Sequence, residues 1–195
     1  MSDRAVLKGV LERLPPGWKT SVSPVVSRLY SLVAGGDGSR PGVRRFSILY
    51  GDAARLARAR ELEQALDALE SDVQLYVAEM SPRRVFVHAG AVGWRGRAIV
   101  IPGRSLSGKT SLVAALVRAG ATYYSDEYAV LDAHGRVHPF PRRLGIREDG
   151  PTQKATRYAV EAIGGKSGAA PLPVGLVILS TYRSGARWRP RRLSA

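Results

Sequence analysis

The chain has no cysteine in its 195 residues. Disulfides and thiolate metal sites are therefore excluded, and nothing points to an oxidising compartment. No uninterrupted apolar run approaches the roughly 20 residues needed to cross a bilayer. The opening, MSDRAVLKGVLERLPPGW, also lacks the long apolar core of a signal peptide. A soluble, cytoplasmic protein without membrane association is expected. Lysine is scarce, at five residues, so almost all of the positive charge is arginine. Acidic residues are few too: 16 Asp and Glu face 30 Lys and Arg, for a formal net charge of +14. That excess suits phosphate groups or an acidic partner. From Arg136 onward the bases outnumber the acids by nine, and the closing RWRPRRLSA reads as a solvated basic tail. No recognition helix or RNA-binding motif accompanies the charge, so specific nucleic-acid binding is not expected.

What is present suffices for a folded core. Hydrophobic residues make up 45% of the chain, and this length favours one domain, or one with a small appendage. The first twenty residues, with Pro15-Pro16-Gly17, read as a loose lead-in. SRLYSLVAG and GVRRFSILYG read as two strands joined by the turn-forming GGDGSRPG. In RELEQALDALESDVQLYVAEM, apolar Leu62, Leu66, Leu69, Val73, Tyr76, Val77 and Met80 recur every three or four residues. This spacing predicts a helix whose stripe is core packing. An N-terminal part, residues 1–80, thus consists of a strand pair and a helix packed on the core formed by residues 81–195.

VFVHAGAVGW and RAIVIPG read as strands joined by a tight turn at Arg95-Gly96. They lead to Gly103-Arg104-Ser105-Leu106-Ser107-Gly108-Lys109-Thr110, followed by Ser111 and a helical pattern that ends at Gly120. The spacing Gly-x4-Gly-Lys-Thr between a strand and a helix is the phosphate-cradling pattern. Its glycines let backbone N–H groups face an anion, Lys109 reaches the β and γ phosphates, and the Thr110 hydroxyl ligates Mg²⁺. ATYYSDEYAVLD reads as strand, AHG as turn and RVHPF as a returning strand, with VGLVILSTYR the last strand. Asp126 and Glu127, at the end of ATYYS, can approach the phosphate loop in a parallel sheet. Asp126 would then serve the metal, and Glu127 would orient or deprotonate a nucleophile. His134 falls in a turn and His138 reads as structural.

The run VFVHAGAVGWRGRAIVIPGRSLSGKTSLVAALVRAGATYYSDEYAVL resembles the catalytic domain of HPr kinase/phosphorylase. The resemblance implies an α/β fold of the P-loop type shared with phosphoenolpyruvate carboxykinase, with a mixed central sheet and flanking helices. It is firm over residues 85–132. It implies that residues 103–111 hold ATP, that Lys109 engages its phosphates, and that Thr110 and Asp126 hold Mg²⁺. Glu127 stands where the family has an Asp acting as base toward an acceptor serine, and His88 lies beside the transferred phosphoryl. Arg147 corresponds to a family arginine near the site. The family's assembly into oligomers implies a homo-oligomer. Glutamate for aspartate at 127 carries the carboxylate one methylene further out, which implies a different acceptor placement. The family's N-terminal domain and C-terminal helices have no counterpart, so a shortened form is expected. The expected activity is ATP- and Mg²⁺-dependent phosphorylation of a Ser or Thr hydroxyl on a peptide or small protein. The alternatives are a catalytically weak nucleotide-binding regulatory module and a basic protein acting through its Arg-rich end.

Overall fold

The computed structural model describes residues 3–35, 45–104, 107–146, 155–181, 185, 187 and 189–193. The chain divides into two compact units, Met1–Pro82 and Arg83–Ala195.

In the first unit a helix α1 spans Asp3–Leu11, where the sequence predicts a loose lead-in. The prolines at 15 and 16 end the helix and do not prevent it. Val6, Gly9 and Val10 are its more buried positions, at the spacing of one helical face, which buried Arg13 continues just past its end. Gly9 comes so close to the next helix that a Cβ there would lie 2.8 Å from Leu66 Cδ1. Buried Arg13 donates to the Gly9 carbonyl and pairs with Glu63 and Asp67. Strands β1 (Tyr30–Val33), β2 (Ser47–Gly51) and β3 (Ala54–Ala59) form an antiparallel meander. The predicted pair is thus a trio, and most of the predicted connecting loop lies outside the described residues. Helix α2, Leu62–Glu79, follows the predicted periodicity. Leu49 of β2 packs with Leu66 and Leu69 of α2, each such burial contributing about 1.5–3 kcal/mol. Met80, predicted to close the stripe, is exposed just beyond the helix.

The second unit is built around one long strand, β4 (Val85–Trp94), joined to β5 (Arg97–Pro102). Arg95 and Gly96 both have positive φ, 48° and 77°, as a type I′ hairpin turn requires. Helix α3 (Lys109–Arg118) follows, then β6 (Thr122–Ser125), β7 (Tyr128–Leu131) and β8 (Arg136–His138). Strands β9 (Leu144–Ile146) and β10 (Thr156–Tyr158) pair with each other, and a 3₁₀ turn, Val160–Ile163, precedes β11 (Leu172–Val177). β5 pairs parallel with β11, β11 antiparallel with β8, β8 with β7, and β7 with the first half of β4. Since β4 also pairs with β5, these five strands close a ring, and β6 extends from the second half of β4.

The alternation of side chains along β4 and β5 separates two cores. Ala89, Ala91, Ala98 and Val100 share one cluster with Tyr124, Ala129 and Val137. Val92 and Ile101 face the other way, with Val113 and Val117 of α3. α3 lies tight on the sheet, since a Cβ at Gly90 would meet Val113 Cγ2 at 2.6 Å. It ends in a Schellman motif. Gly120, at φ +100°, donates to the Val117 carbonyl and Ala121 to that of Leu116. The unit is mixed α/β with a mixed sheet. Among its described residues α3 is its one α-helix.

Candidate active site

The phosphate-loop pattern lies where β5 gives way to α3. Gly103 and Arg104 follow the strand, and Gly108 at φ +87° turns the chain into the helix. That left-handed conformation costs an L-residue about 1–2 kcal/mol, so glycine is required there. A Cβ on Gly103 would stand 2.6 Å from Ser107 Oγ, so this glycine lets the loop close on itself. Ser105 and Leu106, predicted to bind phosphate, lie outside the described residues, as does Arg147. Lys109, Thr110 and Ser111 form the first turn of α3, whose leading N–H groups have no partners within the helix. Lys109 is buried, and its ammonium donates to the carbonyls of Gly103 (2.6 Å) and Arg104 (2.9 Å). Burial draws its pKa down, while the charges of Glu127 and Asp126 pull it back up.

The acidic pair interrupts a strand where the sequence predicts a strand end. β6 and β7 both run antiparallel to β4. Ala91 is opposite Ser125 and His88 opposite Tyr128, with the Ala89 N–H donating to the Glu127 carbonyl between them. The register is therefore continuous across Asp126-Glu127. The pair's place in the ladder is held by Ser125, a residue not singled out from the sequence. Its buried hydroxyl accepts from the N–H groups of Glu127 (3.2 Å) and Tyr128 (3.0 Å).

On the other side of β4, Ala89 faces Pro102, the last residue before the phosphate loop. Loop and acidic pair are therefore separated by β4, and their backbones by two strand spacings, roughly 10 Å. This corrects the prediction that the two strand ends lie side by side in a parallel sheet. β5 and β6 do run in the same direction, because both are antiparallel to the strand between them.

Asp126 is buried at 8% exposure, and its Oδ1 accepts a 3.0 Å bond from the Tyr123 hydroxyl. Burial raises its pKa and the nearby Glu127 charge adds to that. The Tyr123 bond, the Arg142 charge and the Gly145 N–H oppose the rise. Glu127 is half-exposed, with Oε1 3.6 Å from His88 Nε2. Lys109, Asp126, Glu127 and His88 are thus brought into one neighbourhood. Tyr123 and Arg142 belong to it too, and no sequence pattern singles them out. His138 lies apart, bonded to Asp132 Oδ2 at 2.8 Å, in keeping with its structural reading.

No protein-family model, no curated protein and no solved structure matches this chain. Among the described residues no helix is long and apolar enough to cross a membrane, and no three His, Asp or Glu side chains cluster as a metal site would need. Of the residues expected to hold Mg²⁺, Thr110 in the first turn of α3 offers a hydroxyl and Asp126 a buried carboxylate. Such hard oxygen ligands suit Mg²⁺, which keeps several waters and shares phosphate oxygens. The helix N-terminus and the Lys109 ammonium suit an anion beside it.

Proposed function

We propose that the second unit is an ATP- and Mg²⁺-dependent kinase. In this reading it is a P-loop domain of the HPr kinase and phosphoenolpyruvate carboxykinase type, and it phosphorylates a Ser or Thr hydroxyl of a peptide or small protein. The observation that carries the proposal is the convergence on one stretch of β4. A Gly-x4-Gly-Lys-Thr loop entering a helix lies on one side of Ala89, and the Asp126-Glu127 interruption, facing His88, lies on the other.

ATP is the phosphoryl donor in this reading, and Mg²⁺, when bound, would offset the negative charge of its phosphates. The N–H groups at the start of α3 and the Lys109 ammonium would orient the β and γ phosphates, and Thr110 and Asp126 would hold the metal. Glu127 is exposed enough to meet an acceptor and accepts the hydroxyl proton at a carboxylate oxygen. As the new bond forms between the acceptor oxygen and the γ phosphorus, the bond from that phosphorus to the bridging β oxygen breaks. The electron pair leaves on ADP. His88, whose Nε2 lies 3.6 Å from Glu127 Oε1, would stand beside the transferred phosphoryl.

The test is transfer of label from γ-labelled ATP to proteins of a size-fractionated lysate. Lys109→Ala is expected to lower transfer at least about a hundredfold. Glu127→Gln is expected to lower it about a hundred- to ten-thousandfold with ATP binding retained. Full transfer by Glu127→Gln would remove that residue from the mechanism. ATP binding without transfer to any protein would favour the regulatory module.

A further inference from the structure

The two units differ sharply in charge. Residues 1–82 carry eleven Lys and Arg against ten Asp and Glu, whereas residues 83–195 carry nineteen against six. A general preference for arginine in the chain would load both units alike. What distinguishes the second is its lack of acids. Of its described acids, Asp126 is buried, and Asp132 is committed to His138 and to the N–H groups of its own turn. Glu127 and Glu161 are the remaining acids among the described residues. The surface of this unit is consequently cationic. Exposed Arg104 stands in the phosphate loop, exposed Arg143 follows Arg142, and exposed Arg83 and Arg84 lead into the half of β4 that carries His88.

From this asymmetry we infer that the phosphoryl acceptor is an acidic polypeptide segment, drawn to the site by the second unit's arginine surface. The inference rests on the kinase reading given above. A field of one sign around a cleft raises the local concentration of an oppositely charged partner and speeds encounter. Single-stranded nucleic acid would be attracted by the same charge, but it also needs exposed ring faces for its bases. Among the described residues of this unit, Tyr123, Tyr124 and Phe140 are buried. Phe86 packs edge-on against Tyr128 and Phe140, Tyr158 is half-buried, and the exposed Trp94 ring has Arg95 over it.

The test uses the full chain and fluorescent peptides of equal length, each with one serine flanked by acidic, neutral or basic residues. A single-stranded DNA oligomer matches the acidic peptide in charge. Binding is measured by anisotropy and transfer by γ-labelled ATP, at low salt and at about 0.5 M, where screening acts within a few Å. The acidic peptide is expected to bind about tenfold or more tightly than the neutral one at low salt, to lose that advantage at high salt, and to be labelled preferentially. Arg84→Glu, just before β4, is expected to weaken acidic-peptide binding several-fold with ATP binding unchanged. Labelling indifferent to flanking charge would overturn the inference and leave the kinase. Selective acidic binding with no labelling of any peptide would keep the surface assignment and sink the kinase. Tighter binding of the DNA, or no binding of any probe at low salt, would overturn the inference.

Discussion

At Asp126, burial and charge oppose each other. The carboxylate is buried beside Glu127, and the Tyr123 hydroxyl, the Gly145 N–H and the charge of Arg142 compensate only in part, so its pKa in the fold stays above the ordinary value. A carboxyl whose folded pKa is raised binds its proton more tightly in the native state. It therefore costs no stability below the unfolded pKa, near 4, and an increasing amount as the pH rises toward the folded pKa. Replacing Asp126 with Asn keeps an oxygen to accept from Tyr123 and removes the buried charge. Asp126→Asn is expected to be more stable than the parent at neutral pH, with the gain fading as the pH falls to about 4. Urea denaturation across that range reads this directly. A gain independent of pH would mean that something other than the buried charge is responsible. If Asp126 holds Mg²⁺ as proposed, the same substitution is expected to abolish phosphoryl transfer, and a functional group often costs stability.

At the scale of elements, the contact that fixes the phosphate loop relative to the sheet is that of α3 on β4. Gly90 allows it, because a Cβ there would reach 2.6 Å from Val113 Cγ2. Gly90→Ala is expected to cost about 1–3 kcal/mol by overpacking. Adding Val113→Ala should return part of that loss, so the two changes together cost less than their sum in a double-mutant cycle. Strict additivity would show that the helix is free to move away. Such local features are the ones the sequence reveals. The α2 and α3 periodicities, the Arg95-Gly96 turn and the Gly120 cap are each encoded within a few consecutive residues, and so is the phosphate loop. α1 is masked by the prolines that follow it and by Gly9 in its middle. β3 is masked by Arg55 and Arg58, which break the alternation of apolar residues. The closed ring depends on β11 meeting β5 and β8 from far along the chain, and no local pattern encodes that meeting. The same holds within the site. The acidic pair is legible as a pair, but its role as a break in one continuous register appears only when β4 is laid beside it. Tyr123 and Arg142 acquire meaning only through Asp126.

Across the whole molecule, each of the three buried clusters lies within a single unit, and charge is divided along the same boundary. Like charges destabilise a compact state, and salt relieves that repulsion over distances beyond the Debye length, about 10 Å at 0.1 M. With nineteen bases to six acids the second unit carries this burden, while the first, nearly balanced, does not. Raising NaCl from low ionic strength to about 0.5 M is therefore expected to stabilise the second unit selectively. Hydrogen exchange can read the two apart. Leu49 lies fully buried in the first unit and Ile101 in the second, so their amides sample separate cores. Protection at Ile101 should rise with salt while that at Leu49 changes little. An equal rise at both would mean that the chain opens as one cooperative body, or that salt acts through general burial of apolar surface and not through the arginine field. The selective rise would show that the second unit bears an unneutralised field at low ionic strength, the property on which recruitment of an acidic acceptor depends.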